Sequence, residues 1–226
     1  MDGYGCEDSA TKRSGESEVC ELQAKLAADG IRSCVLKGQG VAQLYGSLAG
    51  LRQSGDIHLW LDFDREGLIK YTAEKDIPLE HIGLKHASAS IYDDTEVEMH
   101  YIPSVLYNPI ASHRLNKWLR QQADMQLRLG EELINIPSAD FNMVFLLIHA
   151  YRHHLDEGIG LRQLMDYFFV LRASDSDCKT SCLRVLESLH LICFASGVMW
   201  VMQSVFGIED KYLLCKPNAK VGSFIL

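Results

Sequence analysis

Asp56 and His58 stand two residues apart in the run Asp56-Ile57-His58-Leu59-Trp60-Leu61, as do Glu98 and His100 in Val97-Glu98-Met99-His100-Tyr101. Polar and apolar residues alternating with a period of two mark a half-buried β-strand. In the first run Asp56 and His58 share one face, with Ile57, Leu59 and Leu61 on the other. In the second, Glu96, Glu98 and His100 face away from Val97, Met99 and Tyr101. Pairing of the two strands brings Glu98 to the rim of a site made by Asp56 and His58. Carboxylates and imidazoles so spaced, reached from a glycine-rich turn, suit a phosphate and a metal ion.

Positioning these side chains requires a second strand and a turn, and 33–61 supplies both. The stretch reads as strand 33–36, a turn at Lys37-Gly38, a short helix, a Gly/Ser-rich turn and strand 56–61. Before it, 1–17 is polar and rich in Gly, Ser and charge, the composition of a flexible leader. Helical spacing of Leu22, Leu26 and Ala27 predicts a helix over 18–29, ended by Gly30 as C-cap. After it, Asp64 caps a helix to about residue 75, and Pro78 turns the chain. Strands over 86–92 and 95–101 are expected to be joined by a tight turn at Asp93-Asp94.

Pro109 begins an amphipathic helix to residue 119, with Leu115 and Trp118 inward, and 133–136 reads as a short strand closed by Pro137. From Ser138, a good N-cap, helices follow over 140–155, 161–172, 180–191 and 193–206. The end, 216–226, is apolar and strand-like. The fold class is therefore α+β. A mixed sheet with flanking helices occupies 18–137 and an all-α domain occupies 138–226, with the boundary where composition shifts near Pro137.

Composition narrows the partners. With 47% hydrophobic and 23% charged residues over 226 positions, the chain can build a core. Its formal charge of −8 disfavours long nucleic acid, whose binding needs a basic surface that releases counterions. Seven cysteines, an odd number scattered through apolar runs, read as reduced thiols of a cytoplasmic protein. Cys178 and Cys182 lie one helical turn apart, but no second pair follows at zinc-ribbon spacing. The apolar run 191–205 is too short and interrupted to span a membrane and reads as a core helix.

Several blocks together resemble one family. Leu36-Lys37-Gly38, then Tyr45, Arg52 and the D-I-x-L-x-L strand at Asp56, are similar to an uncharacterised bacterial nucleotidyltransferase family of the DNA polymerase beta-like superfamily. Val97-Glu98-Met99-His100-Tyr101 resembles its V-E-x-H-W/Y strand. His149-Ala150-Tyr151-Arg152-His153 and the stretch 158–166, Gly-Ile-Gly-Leu-Arg-Gln-Leu-Met-Asp, resemble its helical segment. One position departs: the family's strand reads D-I-D, and here His58 replaces the second carboxylate. Family members, on this resemblance, continue past a segment such as 216–226, so a C-terminal piece is expected to be missing.

The resemblance implies a nucleotidyltransferase-like sheet that moves NMP from an NTP, with ATP as the expected donor, to an unknown small-molecule or protein acceptor. Charge developing at the α-phosphate is met by divalent cations, Mg²⁺ or Mn²⁺, held on carboxylates. Asp56 and Glu98 are the expected metal ligands, with His58 in the bridging position. A neutral imidazole brings one nitrogen and no negative charge, so metal binding and rate are expected to be impaired. Lys37, Gly38, Ser47 and Arg52 are the candidate phosphate contacts. Gly38, Gly40, Gly46, Gly50 and Gly55 would let backbone approach a triphosphate, although plain turns between elements are the weightier reading.

In the helical segment His149 and His153 are four apart, a spacing that suits a metal, but no H-E-x-x-H glutamate lies between them. With Arg152 they otherwise read as a phosphate-facing stripe or as inter-helix groups. Arg162 is the choice for nucleotide phosphates because a guanidinium donates in a bidentate fork, and Asp166, four residues on, is placed to pair with it. Three functional readings stay open in this order: a nucleotidyltransferase, a catalytically inactive nucleotide- or partner-binding module, and a His-based metallohydrolase.

Overall fold

The computed structural model describes residues 7–52, 54–92, 95–130 and 134–226, with the side chains of 7–15 left out. The expected Asp93-Asp94 turn and residues 1–6 of the expected leader lie outside this range. The described chain divides into two compact units, one up to Pro103 with Leu119–Pro137, the other Ser104–Trp118 with Ser138–Leu226. Ser104–Trp118, expected with the sheet, thus groups with the helices.

Five strands of the first unit form one mixed sheet in the order β1-β2-β5-β4-β3. They are β1 (Ser33–Leu36), β2 (Ile57–Leu61), β3 (Leu79–Ile82), β4 (His86–Ala89) and β5 (Val97–His100). Only β2 and β5 run parallel, and the other neighbours are antiparallel. One face of the sheet is apolar: Val35, Ile57, Leu59, Leu61, Ala87, Ala89, Val97 and Met99 belong to a single core with Val19, Leu22, Leu26 and Leu68. Those last residues come from two helices, α1 (Glu7–Ala28) and α3 (Arg65–Glu74), and a short α2 (Gly38–Ala42) lies between β1 and β2 in the chain. Burying such side chains is the main stabilising term, roughly 1.5–3 kcal/mol each.

Local signals explain the element ends. Gly30 at φ 77 closes α1, with Gly30 N–H donating to Ala27 O and Ile31 N–H to Leu26 O, the paired bonds of a Schellman end. The Asp64 carboxylate caps α3 by accepting from Gly67 N at 2.7 Å. The outer edge of β1 is covered by irregular chain: Ser33 and Arg128 exchange hydrogen bonds, and Val35 N donates to Asn135 O at 2.8 Å. Gln23 pins that cover, accepting from Asn135 N and donating to Ser33 Oγ.

The structure departs from further expectations. The leader is not loose from Glu7 onward, because α1 begins there. A helix anchored at Val19, Leu22 and Leu26 extends at little cost per residue, so polarity alone does not end it. β3 is absent from the sequence reading: Pro78 masks its start, and its exposed Glu80 and His81 are polar residues of the kind an edge strand carries. Residues 134–136 form no strand: Asn135 accepts from Val35 N of β1 through its backbone oxygen and donates through Nδ2 to Ser33 O. The C-terminal run folds as α9 (Ala219–Gly222) and a turn, with Ile225 buried.

In the second unit α5 (Ala139–Asp156) packs on α6 (Leu161–Ala173) and α7 (Ser176–Ser188), and α8 (Ile192–Ser204) on α7 and α9. Ser138 caps α5 and Asp175 caps α7, each side chain accepting from the backbone N–H three residues on. α4 (Pro109–Gln126) runs beyond the expected residue 119 and has Leu115 fully buried. Trp118 is half-buried and stacks on Phe141. Among the described residues the six cysteines are free thiols, and no helix is long and apolar enough to cross a membrane.

Candidate active site

The face of the sheet opposite the core carries the chemistry. Parallel pairing sets His58 against Glu98 and Trp60 against His100, while antiparallel pairing sets His86 against His100. His58, Glu98 and His100 therefore meet, and His86 joins them from the neighbouring strand. The Glu98 Oε2 atom lies 2.8 Å from His58 Nδ1, 2.9 Å from His100 Nε2 and 3.7 Å from His86 Nδ1. An ionised carboxylate can only accept, so the two near imidazoles donate N–H bonds to it.

Burial of this face is deeper than alternation suggests: every residue of β2 is buried, and His100 is only 3% exposed. Asp56 sits one residue before β2 with its side chain 52% exposed, and its Oδ2 is 3.8 Å from His58 Nε2. The His58 ring thus stands between the exposed Asp56 and the sheltered Glu98, and an imidazole separates the two expected metal carboxylates.

Just past the end of β1 that pairs with His58, Lys37 adopts φ 55, a left-handed conformation that a side chain rarely takes, and Gly38 follows at φ 37. A Cβ on Gly38 would lie 3.1 Å from Ser54 Oγ, and Arg52 Nη1 donates to that hydroxyl at 3.4 Å. Lys37, Gly38, Arg52 and Asp56 are thereby gathered about the turns that enter α2 and β2. Ser47 is exposed. Of the other glycines, Gly40 is needed for packing, while added methyls on Gly46, Gly50 and Gly55 would meet nothing within 4 Å.

Arg162, Asp166, His149, Arg152 and His153 belong to the second unit. Arg162 is exposed in the first turn of α6 and Asp166 is buried. Arg152 pairs with Asp156 and lies over the Tyr107 ring, and His153 pairs with Glu157. The His149 and His153 rings meet edge to face at 4.2 Å. Among the described residues, the one group of three or more side chains placed to hold a metal ion is His58, Glu98 and His100. His86 and Ser54 are missing from the sequence reading. A period of two from the expected strand at 86–92 does put His86 on a polar face, but its neighbour across the sheet depends on register.

Electrostatics follow from burial. Burial, and then the charge of Lys37, holds His58 below its ordinary value of 6.5 despite Glu98 and Asp56, and burial lowers half-buried His86 despite Glu98. Burial drives His100 down to about 3 against the opposing pull of Glu98. Burial alone would raise the Glu98 carboxyl, but hydrogen bonds from His100 and His58 outweigh it and hold it well below the usual carboxylate range.

These shifts act in one direction on stability. As pH falls below 6.5, the unfolded chain gains imidazole protons that folded His58 and His100 refuse. Stability then drops by ~1.4 kcal/mol per pH unit for each such histidine. For His100 the loss runs down to about 3. Glu98 adds to the loss below 4.5, since its lowered folded value contributes fully only above that. Urea unfolding of chelator-treated protein should show a clear fall in midpoint between about pH 7.5 and about pH 5.5. An unchanged midpoint would contradict the placement of these rings.

A pair of magnesium ions does not fit this donor set. Mg²⁺ wants hard oxygen ligands, whereas the bridging place holds the His58 imidazole, which together with His100 already engages one Glu98 oxygen.

No curated protein sequence matches the chain significantly. Among solved structures, the antibiotic-resistance factor ANT(2'')-Ia is similar at a TM-score of 0.50 and 12% identity, over 78% of this chain and 94% of that one. An antigenic nucleotidyltransferase-like protein from Paracoccidioides brasiliensis gives 0.49 and 13%, over 91% of this chain and 95% of that one. A family profile described as uncharacterised nucleotidyltransferase matches residues 9–207, taking in the sheet, the polar face and the helices through α8. The chain belongs to the family of uncharacterised nucleotidyltransferases.

Proposed function

We propose that this chain transfers a nucleotidyl group from ATP to a hydroxyl of a small molecule or protein, at a low intrinsic rate. The acceptor oxygen bonds to the α-phosphorus, the bond from that phosphorus to the bridging oxygen of the β-phosphate breaks, pyrophosphate leaves, and the acceptor proton passes to solvent. Lys37 and Arg52 meet the phosphates, with Gly38 bringing backbone close. Asp56, half-exposed, would hold a Mg²⁺ or Mn²⁺ brought by the triphosphate, which would supply positive charge to the α-phosphate. The observation that carries this reading is the parallel pairing of β2 and β5, which puts Asp56, His58 and Glu98 at one end of one polar face.

His58 supplies no charge to the α-phosphate, and Glu98 is engaged by imidazoles, which is why the rate is low. The same engagement favours a second reading, a nucleotide-binding module without transfer. Incubation with α-labelled ATP and Mg²⁺ or Mn²⁺, alongside equilibrium binding, separates the two. Slow label transfer to protein or added acceptor, lost in Lys37→Ala, supports the transferase. Binding without transfer supports the module, and absence of nucleotide binding overturns both.

A further inference from the structure

One oxygen of the Glu98 carboxylate, Oε2, is approached by more nitrogens than it can serve. A carboxylate oxygen has two lone pairs, and the hydrogen bonds to His58 Nδ1 and His100 Nε2 occupy both on Oε2. His86 Nδ1, 3.7 Å from the same oxygen, is buried with no hydrogen-bond partner. Leaving a buried polar atom unpaired costs roughly 1–3 kcal/mol. A network of hydrogen bonds alone therefore accounts for two of the three nitrogens.

A cation among them accounts for all three. Four ligands at zinc–nitrogen and zinc–oxygen lengths of about 2.0–2.2 Å stand about 3.3–3.6 Å from one another in a tetrahedron. Here His58 Nδ1 and His100 Nε2 are 3.4 Å apart, and the three nitrogens lie 2.8, 2.9 and 3.7 Å from Glu98 Oε2. The rings also converge, with centroids of His86 and His100 4.9 Å apart and those of His58 and His100 5.6 Å apart. Imidazole-rich sets of this kind select zinc and its first-row neighbours and are poor for magnesium.

We propose that His58, Glu98 and His100 form a site for one divalent transition-metal ion of the zinc class, with His86 Nδ1, 3.7 Å from the shared Glu98 oxygen, moving in as the fourth ligand. Three neutral imidazoles and one carboxylate leave such a site with a net positive charge, beside Asp56 at the exposed end of the same face. The inference stands on these side chains and does not require that transfer occur.

The test titrates Co²⁺ into chelator-treated, tag-free full-length protein under reducing conditions. One equivalent should bind with the visible absorption of tetrahedral cobalt, without the near-ultraviolet thiolate band that cysteine ligands give, and one equivalent of Zn²⁺ should displace it. Glu98→Gln keeps the shape and removes the charge, and His86→Asn alters the more accessible strand. Each should weaken binding by at least about tenfold while far-ultraviolet circular dichroism stays unchanged. A cobalt spectrum with thiolate character overturns the proposal, as does binding equally tight in both folded variants, or no stoichiometric binding to folded protein. ATP binding and label transfer are scored separately, so failure here is distinguishable from failure of the transferase reading.

Discussion

His58→Asp should raise Mg²⁺-dependent nucleotidyl transfer by on the order of 10²-fold, equivalent to about 3 kcal/mol of added transition-state stabilisation. The substitution puts a carboxylate between Asp56 and Glu98, which flank the His58 ring at 3.8 and 2.8 Å, and so builds the oxygen-rich set that a magnesium pair needs. It also removes one of the two imidazoles that occupy Glu98. The gain has a counterpart in stability. Position 58 is buried and sits directly opposite Glu98 in the parallel register, so two carboxylates would face each other without a cation between them.

Without divalent metal the variant should be less stable than the parent by about 3 kcal/mol, and Mg²⁺ should restore most of the loss. Label transfer from ATP and urea unfolding, each with and without Mg²⁺, measure the two effects. His58→Asn, which adds no charge, should show neither the rate gain nor the magnesium rescue. A parent chain that turns over as fast as His58→Asp would remove the assignment of position 58 as the weak point of the site.

Gly40→Ala should cost about 3 kcal/mol and weaken nucleotide binding. A Cβ on Gly40 would stand 2.5 Å from the Val35 carbonyl oxygen and 3.4 Å from a methyl of Ile136. The obstructing atom is backbone, so no side chain can rotate away. Nor can β1 yield easily, since it pairs with β2 on one side and Val35 N is held by Asn135 O on the other. The strain passes to α2, whose first residue is Gly38, next to Lys37. Gly50→Ala is the matched control, because a methyl there meets nothing within 4 Å, and it should change stability by no more than about 0.5 kcal/mol. Urea midpoints and ATP binding of the two variants compare them directly, and equal midpoints would contradict the packing of α2 on β1.

Much of this arrangement is legible in the sequence wherever a local pattern has one physical solution. β2 announces itself by apolar alternation, α3 by Asp64 and α5 by Ser138, and Glu98 and His100 share a face by the period of two. What stays hidden depends on partners distant in sequence. β3 is an edge strand whose polar residues and preceding proline look like loop, and only its pairing with β4 makes it extended. His86 becomes part of the polar cluster through its register with His100, which no local window contains. Alternation also predicts a half-exposed β2, yet all five residues are buried, because burial of the second face is decided by what the rest of the chain lays over it.

The path of α4 has a practical consequence. Its first half groups with the helices and its last half with the sheet, so each unit is assembled from two separated lengths of polypeptide. No single cut liberates either one whole: a fragment stopping at Pro137 keeps 104–118 but loses its partners, and a fragment starting at Ser138 lacks that segment altogether. Dissection of this molecule into independently expressed halves therefore calls for rejoined or permuted chains rather than truncation.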